Sequence, residues 1–328
     1  MQILLLLVLL LMISSYSYCY KCVRTIRTQL RSSKRYVSDL NDSLNDDVIK
    51  YMKIKDKDDI IRSMRYVDIG NENDKPPIIC LGGTAQSVVS FHPHIRPISK
   101  TRRLIIPELR CQGETDLLSQ YGTIEQHCED LKMLLQSLNI SNIHLSGYSF
   151  GGRVGIAFAH HYPSFVSRLS ITAVPLVRPN LGNIIINSWQ DGLQRNNLRD
   201  VAWSFMLNGY SASFLEKYAD RIPSFVDMVI KNNKDPKKLL DLLVYSHVSD
   251  DNPFSVKKCA EKIQCPTQII GATEDRIAGF TPVSDLAKFI ELSSLSSSKV
   301  SFHEVIAGHL APFEQPNQWR KLILEFFN

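Results

Sequence analysis

Six residues, Gly147-Tyr148-Ser149-Phe150-Gly151-Gly152, constrain this chain more than any others. They follow the strand-like run Ile143-His144-Leu145-Ser146 and precede Arg153 to Ala159, which reads as a helix. A strand that turns into a helix within so few residues forces the central serine into an unfavourable backbone conformation. Only glycines at the flanking positions let the two elements pack that closely. The turn lifts the Ser149 hydroxyl above the strand ends. A bare match to this pattern also fits a small-residue turn holding a solvated serine, so the rest of the chain has to decide.

Far downstream, Gly271-Ala272-Thr273-Glu274-Asp275 closes the strand-like stretch Thr267 to Ile270, and Gly308-His309 follows the stretch Lys299 to Val305. Serine, acid and histidine therefore occur in that chain order, each at the exit of a strand. This is one of the few orders known to assemble a nucleophile, a base and an orienting carboxylate. Either Glu274 or Asp275 could supply the carboxylate.

Short apolar runs at Met64 to Ile69, Pro77 to Leu81, Arg103 to Ile106 and Asn142 to Leu145 alternate with helical spacing, as over Ile124 to Leu138. After Ser149 the alternation resumes with a helix over Arg153 to His161 and a strand over Val166 to Ala173. It continues with the strand Thr267 to Ile270, a helix over Val283 to Leu292, a strand over Lys299 to Val305 and a helix over Asn317 to Phe327. Such alternation predicts an α/β fold: a mostly parallel sheet with helices on both faces. From about Pro175 to Val256 it breaks. Trp189, Trp203, Phe205, Tyr210, Phe214, Tyr218, Phe225 and Tyr245 fall there in helix-like segments, which predicts an inserted helical cap. The expected division is a core first half at 63–174, a cap at 175–256 and a core second half at 257–328, after a linker or short helix from Asp39 to Arg62.

The amino-terminal end reads differently. Ile3 to Met12 is an unbroken apolar run, too short for a span, and with the small polar stretch after it residues 1–19 look like a signal peptide or signal anchor. Residues 20–62 begin Arg- and Ser-rich and acid-free, like a transit segment. Together they predict entry to the secretory route, either onward to a plastid through a bipartite leader or to secretion or a membrane surface. Six basic residues lie within residues 1–38, so the formal charge of +5 becomes 32 basic against 33 acidic residues in the remainder. A near-neutral domain offers no electrostatic footprint for nucleic acid. Beyond the leader cysteines Cys19 and Cys22, an odd set of five remains (Cys80, Cys111, Cys128, Cys259 and Cys265), without zinc-like spacing. Buried free thiols are the default, with a Cys259–Cys265 bridge the alternative. Asn41-Asp42-Ser43 and Asn139-Ile140-Ser141 fit the glycosylation pattern.

From about Arg65 onward the chain resembles the α/β-hydrolase superfamily, in the helical-cap branch of esterases and lactonases. The likeness is carried by Leu81-Gly82-Gly83-Thr84-Ala85-Gln86-Ser87, by Glu108 to Thr115, by Gly147 to Gly152 and by Gly308 to Pro316. Two positions depart from it: Gly82 stands where that family usually has His, and Cys111 where it usually has Gly. The resemblance implies a cofactor-independent serine hydrolase, with no metal, acting on an ester, thioester or lactone of a small to medium apolar acid. Ser149 would be the nucleophile and His309 the base. Asp275 would be the acid, with Glu274 the alternative. The backbone N–H groups of Thr84 and Phe150 would form the oxyanion hole. The partner is a small-molecule acyl substrate. Carbon–carbon bond hydrolysis or acyl transfer at the same site, and a non-catalytic binding role, are the alternatives. Of the other histidines, His92 and His94 are expected at the pocket and His127, His160 and His161 at the surface or an interface. His144 is expected in the core, and His247 and His303 lie in no motif.

Overall fold

The computed structural model describes residues 48–56, 58–70, 75–293 and 299–328. The leader, the transit-like stretch to residue 47, Cys19, Cys22 and the Asn41 glycosylation pattern lie outside the described residues.

Among the described residues eight strands form one sheet: β1 (Ile49–Lys55), β2 (Ile61–Ile69), β3 (Ile78–Leu81), β4 (Leu104–Pro107), β5 (Ile143–Tyr148), β6 (Val166–Thr172), β7 (Thr267–Ala272) and β8 (Val300–Val305). Their order is β1-β2-β4-β3-β5-β6-β7-β8. β2 pairs antiparallel with both its neighbours, and every pair from β4 across to β8 is parallel. The central strands are buried along both faces, which is why they read as continuous apolar runs rather than alternating ones. The alternation still decides which helices each residue meets. Ile79, Leu81, Leu145 and Ile171 face one way, into a core built with α2 (Ile124–Ser137), α3 (Phe150–His161) and α10 (Phe280–Ser293). Ile78, Cys80, Ile106 and Ile270 face the other, against α1 (His92–Ser99) and α12 (Pro316–Phe327).

Two differences from the sequence expectation have clear causes. The stretch from Asp39 to Arg62, expected as a linker or short helix, carries β1 and the start of β2 as an antiparallel pair. β1 is a sheet edge with Lys50, Lys53 and Lys55 among its residues. A charged edge strand carries little apolar signal. α1 was not anticipated because Pro93 and Pro97 interrupt it; Pro93 falls in the first turn, where proline is tolerated, and Pro97 inside.

Between β6 and β7 stand α4 (Asn180–Gln194), α5 (Leu198–Gly209), α6 (Ala212–Lys217), α7 (Ile222–Asn232) and α8 (Pro236–Tyr245), followed by α9 (Val256–Ala260) against the sheet core. The first five have a hydrophobic core of their own around Trp189, Leu193, Val201, Phe205, Val226 and Leu239. Ala85, Ile277 and the partly buried Leu310 and Phe313 join that core from the loops at the carboxyl ends of the strands. The helical layer thus lies over the sheet edge where Ser149, Asp275 and His309 emerge.

Candidate active site

Ser149 joins β5 to α3 with φ 51° and ψ −116°, a conformation that costs a non-glycine residue about 1–3 kcal/mol. The N–H of Ser149 donates to the Thr172 carbonyl at 2.9 Å, which anchors the corner to β6. The flanking glycines are required by close backbone approach. A Cβ on Gly147 would come within 2.6 Å of the Gly152 Cα, and one on Gly151 within 2.5 Å of the Gly82 carbonyl. The second contact also presses the loop after β3 against the head of α3.

Asp275 leaves the end of β7 and is buried; Glu274 beside it is exposed, its N–H spent on the Ala307 carbonyl at 2.9 Å. The structure therefore separates the two acids that the sequence leaves side by side. One Asp275 oxygen accepts the backbone N–H groups of Ile277 and Ala278, both at 2.8 Å. The His309 Nδ1 lies 2.8 Å and 3.0 Å from the two carboxylate oxygens. On the other side of the ring, Nε2 is 2.8 Å from the Ser149 Oγ. With the proton on Nδ1 donated to Asp275, Nε2 is left to accept the serine hydroxyl. Ser149, His309 and Asp275 are thus joined in one hydrogen-bonded chain although 34 and 160 positions separate the partners in sequence.

Phe150 is the first residue of α3, so its N–H has no helical acceptor behind it. The Thr84 N–H makes no hydrogen bond within the described residues. The loop that carries Thr84 is held by the Gly83 N–H donating to Gln86 Oε1 at 2.8 Å, and a Cβ on Gly83 would stand 3.3 Å from the Ser149 Cβ. Two free donors therefore flank the serine. Gly82, in place of the usual histidine, leaves this backbone arrangement intact. Cys111, in place of the usual glycine, is buried and keeps the left-handed backbone that glycine favours, with φ 72°.

Ser149 and His309 open into a cavity of about 280 Å³ between the strand ends and the helical layer. Thr84 and Phe150 line its floor, while Trp189, Phe205, Met206, Phe214 and Phe225 line its roof. Of the remaining histidines, His92 and His247 reach this cavity. His94 does not: it is buried at the back of α1, edge-on to Trp319 at 4.7 Å, and burial beside Arg320 pushes its pKa down to about 3. His127, expected at the surface, is fully buried and packs edge-on to Phe150 at 5.0 Å. It shares the inward stripe of α2 with Ile124, Cys128 and Leu131, and burial lowers its pKa to about 3. That stripe was the signal for its burial. His160 and His161 are half-buried, and His144 is a core residue, 3.1 Å from the Arg102 guanidinium. All five described cysteines are free, Cys259 and Cys265 included.

One residue of the site had no role in the sequence reading. Glu314, in α11 (Ala311–Glu314), accepts the N–H groups of Gly308 and Ser211, each at 3.0 Å, and the Ser211 hydroxyl. It ties the loop of His309 to the turn between α5 and α6. A Cβ on Gly308 would meet the Gly209 carbonyl at 2.5 Å, and the Leu310 N–H donates to that same carbonyl at 2.8 Å. The only sequence signal was an acid one turn beyond the histidine.

Among the described residues no group of three His, Cys, Asp or Glu side chains is arranged to hold a metal, and no helix is long and apolar enough to cross a membrane. The strand order, with an antiparallel second strand and a strained serine between β5 and α3, defines a nucleophile-elbow α/β fold. The chain belongs to the alpha/beta hydrolase fold family, whose model matches residues 76–316. It is 26% identical to monoacylglycerol lipase ABHD6 of Bos taurus over 273 residues, covering 78% of this chain and 77% of that protein. It is 22% identical to the pyrrolizixenacetamide deacetylase of Xenorhabdus hominickii over 258 residues, covering 76% and 90% respectively. The fold also matches the enol-lactonase from Burkholderia xenovorans LB400 with a TM-score of 0.70 at 18% identity, over 84% of this chain and 99% of that one.

Proposed function

We propose that this chain is a serine hydrolase that cleaves an ester, thioester or lactone through an acyl-enzyme on Ser149. The observation that carries the reading is the hydrogen-bonded series from Ser149 Oγ through His309 to Asp275 at the floor of a largely apolar cavity. In this reading His309 Nε2 takes the serine proton as Oγ attacks the carbonyl carbon. Asp275 holds the imidazole in the required tautomer and steadies the imidazolium. The developing oxyanion is met by the N–H groups of Thr84 and Phe150, each such donor contributing about 3–4 kcal/mol to the transition state. Collapse passes the proton from Nε2 to the leaving alcohol or thiol. Water then enters, gives its proton to His309 and releases the acid while restoring Ser149.

Support for ester or amide-type substrates also comes from the relatives, which are named as a lipase and a deacetylase. The test is labelling of the chain from Asp39 onward with a fluorophosphonate, beside Ser149→Ala and His309→Ala, followed by p-nitrophenyl esters of rising chain length and a monoacylglycerol. Labelling that vanishes in both variants, with ester turnover, supports the reading. A folded wild-type protein that neither labels nor turns over any ester sinks it and moves the weight to a binding role.

A further inference from the structure

Among the described residues, the cavity over Ser149 is lined by two arginines, Arg153 and Arg178, and by no carboxylate. Arg153 stands one helical turn beyond Ser149 on α3, and Arg178 lies in the segment between β6 and α4. Arg153 Nη2 donates to the Ser246 carbonyl at 2.8 Å, at the end of α8. Arg178 makes no hydrogen bond or ion pair with another described residue. The buried arginines are better provided for: Arg110 is held by Asp56 and Asp130, Arg65 by Glu108 and Glu114, and Arg102 by the carbonyls of Pro76 and Phe327.

Arg153 and Arg178 are half-buried and have no counter-ion among the described residues, and a partly desolvated, unpaired cation is costly and is retained where something else gains from it. Burial and the neighbouring charge of Arg178 push the Arg153 pKa down to about 9, and burial also lowers that of Arg178, so the charge at neutral pH is held against a desolvation penalty. A guanidinium presents paired N–H donors matched to carboxylate and phosphate oxygens. The Ser246 contact orients the Arg153 fork and leaves other N–H groups free. The rest of the wall, with Trp189, Phe205, Met206 and Phe225, suits a hydrocarbon chain.

We propose that Arg153 and Arg178 form an anion-binding subsite, so that the compound cleaved at Ser149 carries a carboxylate or phosphate group on an otherwise apolar chain. This inference rests on the hydrolase reading above and names its substrate class. Two matched pairs separate the sources of the charge. Mono-p-nitrophenyl adipate against p-nitrophenyl hexanoate places a carboxylate on the acyl side. Hexanoylglycerol phosphate against hexanoylglycerol places a phosphate on the alcohol side.

The wild-type protein is expected to favour the anionic member of at least one pair by about tenfold in kcat/KM, mainly through KM, which corresponds to about 1.4 kcal/mol. Arg178→Met and Arg153→Met should each collapse that ratio, and Arg178→Lys should restore part of it. Ratios at or below one in both pairs, in a protein that labels with fluorophosphonate, overturn the anion subsite and leave the hydrolase reading standing. Ratios that both methionine variants leave unchanged do the same. Absence of labelling and of turnover on all four esters overturns both. Where a methionine variant fails to fold, wild-type ratios at or below one still overturn the subsite, and Arg178→Lys, which keeps the charge, still tests the Arg178 position.

Discussion

The floor and the roof of the cavity are built on different principles. On the floor, charge is matched by charge or by backbone donors. Asp275 is met by His309 and two N–H groups, Arg110 by Asp56 and Asp130, and Glu108 by Arg65 and the N–H groups of Val88, Glu114 and Thr115. Apart from Asp130 on α2 and Arg65 within β2, these charged groups sit at or just beyond strand ends whose positions are set by the ladder of main-chain hydrogen bonds. The roof has its own apolar core and reaches the floor through a few polar ties. Asn233 donates to the Ala85 carbonyl at 2.9 Å, Lys238 to the Thr115 carbonyl at 3.2 Å, and Glu314 and Arg153 make the ties described above. The difference teaches that the Ser149–His309–Asp275 series is held by fixed geometry, whereas the helices that roof the cavity need only pack. In the proposed hydrolase, substrate preference can therefore change in the roof without disturbing the floor.

Five substitutions test this contrast, in descending order of expected effect. Ser149→Ala and His309→Ala should each lower ester turnover about 10⁴-fold or more while leaving the cooperative unfolding transition in place, checked by hydrolysis rates beside thermal melts. Arg110→Met should destabilise by about 3–5 kcal/mol in urea, because it leaves two buried carboxylates without their partner. Arg178→Met on the cavity wall should destabilise far less or not at all, since no partner is stranded; an equal loss at both sites would erase the contrast. Glu314→Gln cuts the tie between floor and roof. Losing hydrogen bonds to a charged acceptor should cost about 1.5–3 kcal/mol of stability and lower kcat more than it raises KM, because the His309 loop loosens.

A separate effect, confined to acidic pH, concerns His127. His127 has its pKa lowered to about 3 by burial, below its ordinary value of 6.5, so on acidification the unfolded chain takes up the proton first. Its contribution is fully present above pH 6.5 and is lost as the pH falls from 6.5 toward about 3. His127→Leu should therefore flatten the fall of unfolding free energy over that window by about 1.4 kcal/mol per pH unit. Glu108, whose pKa burial raises, works in the opposite direction in both proteins and cancels in the comparison. An unchanged slope would mean that His127 is solvated or partnered in the folded state.

Much of the floor could be read in the sequence because its signals are local. The glycines around Ser149 report a corner that no larger residue could make. The apolar runs of β3, β4 and β5 report strands buried on both faces, and their observed ends fall within a few residues of the expected ones. Where the reading failed, the deciding contact was remote. β1 is a strand because β2 pairs with it, not because Lys50 and Lys53 favour strand. His94 and His127 were placed by local pattern at the pocket and the surface, yet the packing of Trp319 and Phe150 encloses them. Glu314 matters only because Ser211 is brought beside it from 103 residues away.

The sequence by itself determined the strand–turn–helix corner, the order of serine, acid and histidine, and the alternation that makes a parallel sheet, because each depends on backbone sterics or apolar spacing within one short segment. The tertiary structure alone decided that Asp275 rather than Glu274 meets His309, that Glu314 braces the histidine loop, and that Arg153 and Arg178 share one cavity without a counter-ion among the described residues. Adjacent acids are indistinguishable along a chain, since the side that each faces is set by the twist and exit of β7. A missing ion-pair partner is likewise visible only when everything that could approach the charge has been brought into place.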